Sequence, residues 1–179
     1  VRAGKGNQMK MSRRELIVGG LAASAAPALA RNEKIIVTGH LGNVGQWLMP
    51  FLRSYYDVVG IDKKDGPDYD LAVRGRWQDL FSRRFETIIH LAATANPSAG
   101  DDDVYRNNVI ATENLIAAAI EAGCRNLIFA STTWVQPARY GNPVGSWVPV
   151  NAYGRSKAYG EGLMKSLPRN VTVPAIVRI

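Results

Sequence analysis

The sequence predicts an α/β fold: a doubly wound parallel sheet with crossover helices on both faces. Three observations carry that expectation. From Glu33 onward, short β-branched runs alternate with longer amphipathic segments, the pattern of strand–helix–strand units. The runs lack the polar–apolar alternation of a one-sided sheet, as strands covered on both faces do. A glycine-rich turn follows the first run and opens the first helical segment, where folds of this kind bring backbone up to a ligand.

Taken in order, strands are expected at "KIIVTG" (34–39), "DVVGID" (57–62), "ETIIHLAA" (86–93), "RNLIFAS" (125–131) and "VPAIVRI" (173–179). Helices are expected between them at about 44–54, briefly near 76–83, at about 103–122 and at about 152–167. On the third, Val104, Val109, Leu115, Ile116 and Ile120 recur at helical spacing. Asp101, Asp102 and Asp103 precede it. Three adjacent carboxylates invite a metal reading, but just before a helix they favour its N-terminal dipole, and no metal site is expected. The last expected strand has nothing after it to cover it, so a C-terminal substrate domain is expected to be missing.

Residues 1–30 read as a leader and a twin-arginine signal peptide. "Ser12-Arg13-Arg14-Glu15-Leu16-Ile17" pairs two arginines with apolar residues, a mildly apolar stretch follows, and Ala28-Leu29-Ala30 offers a small-x-small cleavage site. That stretch is shorter than the roughly 20 apolar residues of a membrane span. The expectation is export to the periplasm by the twin-arginine machinery; were the leader a gene-start artefact, the protein would stay cytoplasmic. Of the formal charge of +7, Arg2, Lys5, Lys10, Arg13 and Arg14 against Glu15 place +4 in this segment. The rest is scattered, so no nucleic-acid partner is expected. Cys124 is the only cysteine, which excludes an intrachain disulfide; it reads as a small buried hydrophobe.

The chemistry is concentrated in two motifs. "Thr38-Gly39-His40-Leu41-Gly42-Asn43-Val44-Gly45" lies between a strand and a helix. There Gly39 permits the turn, Gly42 admits pyrophosphate, Gly45 lets the helix pack closely, and Asn43 and Val44 open the helix that faces the phosphate. This is the Rossmann arrangement. Asp62, about 20 residues further on, is placed to accept hydrogen bonds from an adenosine ribose, which favours NAD over NADP, with Lys63 and Lys64 beside it softening the discrimination. "Tyr153-Gly154-Arg155-Ser156-Lys157" puts a phenol and an ammonium on one helix face. A free phenol has a pKa of about 10, and a nearby cation favours its ionised form. Tyr153 is thereby suited to exchange a proton with a hydroxyl or carbonyl while nicotinamide exchanges a hydride.

These motifs, with "IIHLAA", "NNVIATENLIAAA", "IFAST" and "YGRSKAYGE" in order and spacing, resemble the extended short-chain dehydrogenase/reductases, the NAD-dependent epimerase/dehydratase group. The resemblance runs from about Lys34 to Ile179. It implies that Asp70 and Leu71 contact adenine, that Ala92 and Ala93 line the cofactor, that His90 is structural, and that Asn107 or Asn108 supports the site. Thr132 would bind the reacting oxygen beside Tyr153, with Ser131 and Thr133 as neighbours, and Lys157 would also hold the nicotinamide ribose. Gln136-Pro137 and the loop "NPVGSWVPVN" depart from the family pattern in the segment over the substrate.

Residues 31–179 are therefore expected to be an NAD-binding domain of an enzyme that oxidises, reduces or epimerises a sugar-like carbinol. The alternatives are a hexuronate-type sugar dehydrogenase, which "AIVRI" resembles, and a non-catalytic NAD-binding fragment or regulator. A small sugar-like substrate and a homodimer complete the expected partners.

Overall fold

The computed structural model describes residues 33–135, 151–169 and 172–179, all within one compact unit, Arg31–Ile179. The expectations for residues 1–30 and for the 136–150 segment lie outside the described residues.

Five parallel strands form one sheet in the order β2-β1-β3-β4-β5. They are β1 (Lys34–Thr38), β2 (Asp57–Ile61), β3 (Thr87–His90), β4 (Asn126–Ser131) and β5 (Val173–Arg178). All five expected strands form, each one to four residues shorter than read. The chain winds outward from β1 in one direction to β2, then crosses back to β3, β4 and β5, which opens a crevice between the carboxyl ends of β1 and β3. The register Thr38↔Ile61 and Thr38↔His90 brings the ends of β1, β2 and β3 to one level.

Three helices follow. Helix α1 (Asn43–Arg53) leaves the glycine turn. Helix α2 runs over 101–121 and is interrupted by a π segment, Tyr105–Ile110, between α-helical Asp101–Val104 and Ala111–Glu121. The three aspartates occupy its first turn, where their charge meets the unpaired N–H groups. Helix α3 (Ala152–Ser166) is capped by Asn151, whose Oδ1 accepts the Gly154 N–H at 2.7 Å. The short segment Arg76–Arg83 forms, as 3₁₀ rather than α-helix. Among the described residues, no helix is long and apolar enough to cross a membrane.

The core divides along the sheet. Ile36, Ile61, Ile88, Leu127, Phe129 and Met164 belong to the larger cluster, which also takes in Trp77 and Leu115, while Ile35, Val37, Met49 and Leu52 form the cluster under α1. The two clusters confirm that β1 is covered on both faces. β5 departs from the expectation: Val173 and Val177 are exposed, so this edge strand is not buried on both faces. Cys124 is buried and its thiol is pushed up to about 11, chiefly by desolvation.

Candidate active site

The crevice holds two adjoining clefts that share Gly39, Gly42, Leu91 and Ala93. The first, of about 170 Å³, lies between the ends of β1 and β2 and is lined by Asp62, Asp70, Leu71, Ala92 and Asn107 among others. The second, of about 150 Å³, continues past the helix start at Asn43, Val44 and Gly45 to Ser131, Tyr153 and Lys157. Except for Thr132 and Asn108, every site residue read from the sequence lines one of these clefts.

Gly39 is in the left-handed region, φ +71°, and a Cβ there would stand 2.6 Å from the Ala92 amide nitrogen. Only glycine turns the chain while letting the β1 and β3 ends meet this closely. Gly42 precedes α1 and supplies no side-chain cap. The first N–H groups of the helix therefore lack side-chain partners, beside the cleft that Asn43, Val44 and Gly45 line. This N-terminus fits the diphosphate of a dinucleotide.

The carboxylates of the first cleft are already engaged. Asp62 Oδ2 accepts the Leu41 N–H at 3.1 Å and Oδ1 accepts the Lys64 N–H at 3.0 Å, so the residue ties the glycine turn to the end of β2 as well as facing the cleft. Asp70 accepts the Ala72 N–H at 2.9 Å and pairs with Arg106 at 2.7 Å. Burial opposes the Asp70 charge, but that N–H and the guanidinium outweigh it and hold the carboxyl below its usual range.

The reacting end rests on buried side chains. Tyr153 and Lys157 are one turn apart on α3 and both are buried. Lys157 Nζ donates to the Ala130 carbonyl at 2.8 Å and lies 4.8 Å from the Phe129 ring centroid. Desolvation lowers the ammonium to about 8. Thr132 is buried immediately after β4, and its hydroxyl oxygen accepts the Trp134 N–H at 3.4 Å. At the cleft wall itself stands Ser131, whose hydroxyl donates to Glu161 Oε1 at 2.6 Å, while Thr133 is exposed.

Behind the cleft runs a directed chain of hydrogen bonds. Thr112 Oγ1 donates to the Asn108 carbonyl at 2.6 Å, which leaves it to accept from His90 Nε2 at 2.9 Å. His90 Nδ1 then accepts from the Thr38 hydroxyl at 2.7 Å, and that oxygen accepts the Ala92 N–H at 3.3 Å. Full burial, with the Lys157 charge adding to it, lowers His90 to about 3, so the ring is neutral and structural, as expected. Of the two asparagines, Asn107 lines the first cleft. Asn108 works behind it, accepting the Thr94 N–H at 2.7 Å and donating to Ser156 Oγ at 2.9 Å. Ser156 in turn donates to the Tyr153 carbonyl at 2.8 Å. Both adjacent asparagines lie in the π segment and are buried, and such segments are frequent at functional sites. Thr94, Ser156 and Glu161 escaped the sequence reading; the four-residue spacing of Lys157 and Glu161 was the one available signal.

A two-stage crevice of this kind, with an uncapped helix start and a tyrosine and lysine on one helix face, defines a nicotinamide-dependent Rossmann domain. The chain belongs to the NAD dependent epimerase/dehydratase family, whose model matches residues 35–179, and NAD is its cofactor. It is similar to the L-arabinose 1-dehydrogenase (NAD(P)(+)) of Haloferax volcanii, 34% identical over 150 residues that cover 73% of this chain and 59% of the relative. It is also similar to the UDP-glucose 4-epimerase of Rhizobium meliloti, 29% identical over 158 residues, 75% of this chain and 47% of the relative. Among solved structures, MoeE5 in complex with UDP-glucose and NAD superposes with a TM-score of 0.68 at 26% identity, over 80% of this chain and 52% of that one. The chain spans about half the length of the relatives it matches.

Proposed function

We propose that the protein is an NAD-dependent oxidoreductase acting on the hydroxyl of a sugar or sugar-like molecule, with Tyr153 as its acid and base. One observation carries the reading: Tyr153 and Lys157 lie on one buried face of α3 and line the same cleft as the helix start at Asn43–Gly45. Bound NAD supplies the hydride acceptor. Tyr153 takes the hydroxyl proton as the carbinol C–H bond breaks, and returns it in the reverse direction. Lys157 favours the phenolate through its positive charge and would hold the nicotinamide ribose. The resemblance assigns the reacting oxygen to Thr132, which is buried just after β4 and lines neither cleft. The Ala130 carbonyl fixes the lysine, and Asn108, through Ser156, fixes the first turn of α3.

Dehydrogenation of a free sugar is favoured over epimerisation of a nucleotide sugar by the similarity to the L-arabinose enzyme; a 4-epimerase is the second reading, supported by the Rhizobium relative. Incubating the full-length protein with NAD and a panel of free sugars, sugar acids and nucleotide sugars, followed by nicotinamide absorbance and product analysis, separates them. Turnover retained in Tyr153→Phe contradicts the mechanism.

Export by the twin-arginine route belongs to the same proposal. Arg13 and Arg14 with the apolar stretch behind them support it. A glycine turn that closes on a diphosphate only when folded is compatible with a route that carries folded proteins, so NAD would travel with the enzyme. Replacing both arginines with lysine and fractionating cells tests the route; unchanged export contradicts it.

A further inference from the structure

Four residues beyond Lys157, on the same face of α3, lies Glu161, a carboxylate only 1% exposed. A charge this deep is costly unless paired and hydrogen-bonded, and its partners come from both neighbouring strands. Ser131 of β4 donates to Oε1 at 2.6 Å. Arg178 of β5 donates from Nε to Oε1 and from Nη2 to Oε2, both at 2.7 Å. Lys165 stands 3.5 Å from Oε2. Ser131 and Arg178 are register partners across the β4–β5 ladder, so one carboxylate joins two strands and a helix at a single level. Burial alone would raise the Glu161 carboxyl; the Arg178 fork and the Ser131 hydroxyl hold it below its usual range.

That level lies directly beneath the reacting groups. Ala130 offers its carbonyl to Lys157, and Ser131, the next residue, offers its hydroxyl to Glu161. Consecutive residues of β4 are thus held by successive turns of α3. Gly160 makes the approach close enough: a Cβ there would meet Phe129 at 2.4 Å. The arrangement also commits the Ser131 proton to Glu161.

We propose that Glu161 and Arg178 are positioning residues for the reacting end of the cleft, holding Ala130, Ser131 and Thr132 in register against α3 so that Lys157 and Tyr153 keep their places. This rests on the reading of the cleft given above. The adenosine end is lined by residues that follow β1, β2 and β3 and by α2, and it is expected to stay intact when the device is broken.

The test compares ADP, which reaches only the adenosine and diphosphate positions, with NADH, which also reaches Lys157. Glu161→Gln, Arg178→Lys, Arg178→Met and Ser131→Ala are made in the full chain, with circular dichroism to confirm folding; Ser131→Ala, which removes one hydroxyl, keeps the test available should the charge variants fail to fold. Losing a buried bond to a charge predicts NADH binding about tenfold weaker in Glu161→Gln and Arg178→Met, with ADP binding unchanged within about twofold. Arg178→Lys recovers part of the loss. Wild-type protein that binds neither ligand overturns the reading of the cleft and this proposal with it. Wild-type protein that binds both, with variants that weaken both alike or leave NADH binding unchanged, overturns the proposal alone and makes the cluster a plain structural staple.

Discussion

The two ends of the crevice are built on opposite principles. At the adenosine end, the carboxylates of Asp62 and Asp70 are stabilised by N–H groups and cations close to them, and the surface is made largely of turns. At the reacting end, Lys157 is a buried ammonium whose bond in the structure is to a neutral carbonyl. The first end is settled before a ligand arrives. The second carries a desolvation cost that a neutral carbonyl and the Phe129 ring offset only in part, a common mark of a site whose charge is kept for chemistry.

Substitutions at the reacting end therefore have the largest effects. Tyr153→Phe is expected to lower turnover by about a thousandfold, the scale of general acid–base catalysis, while NADH affinity stays within a few-fold. Steady-state rates beside fluorescence titration check this, and a parallel loss of affinity would break the contrast between the ends.

Lys157→Met sharpens it. Removing the ammonium should weaken NADH binding by about tenfold or more, as expected for a lost charge-assisted contact. Stability should be unchanged or raised, because a buried charge is replaced by an apolar chain of similar volume. Melting curves without ligand, paired with NADH titration, measure both.

The same residue gives a pH signature. Lys157 sits near 8 in the fold against 10.5 when exposed. Between these values the unfolded chain binds the additional proton, so this group makes stability rise with pH through that window. NADH binding, which uses the ammonium, should fall over the same range. Denaturant melts and NADH titrations from neutral pH upward separate the opposed trends. They should flatten together in Lys157→Met.

The smallest effect belongs to the adenosine end. NADH is expected to bind more tightly than NADPH because Asp62 faces the ribose position. Asp62→Asn should narrow the gap by a few-fold. Its single amide oxygen can accept from only one of the Leu41 and Lys64 amides, which bond to different oxygens of Asp62, so melting curves accompany the titration to show that the turn survives. Titration of both reduced cofactors checks it, and equal affinities in the wild type would contradict the assignment.

The contrast also explains what was legible in the sequence. The adenosine end is encoded locally: Thr38 to Gly45 is one continuous stretch, and Asp62 follows at a fixed interval. All five strands showed in their β-branched runs. The exposure of β5 showed only in the lack of any expected element after it and not in the strand itself, because a buried and an edge strand share one composition. The pairing of Tyr153 with Lys157 was readable from their four-residue spacing. Its support was not: Asn108 reaches Thr94 and Ser156 from within a π segment that no local pattern reports, and Glu161 of α3 meets Ser131 and Arg178 where β4 and β5 pair.

A crystal structure of the protein grown with NAD tests the central claim most directly. The account expects one dinucleotide spanning both clefts, with adenine beside Asp70 and Leu71, the diphosphate at the start of α1, and the nicotinamide ring against Tyr153 and Lys157. A cofactor in the reverse orientation, or one whose nicotinamide lies away from Tyr153, would contradict it.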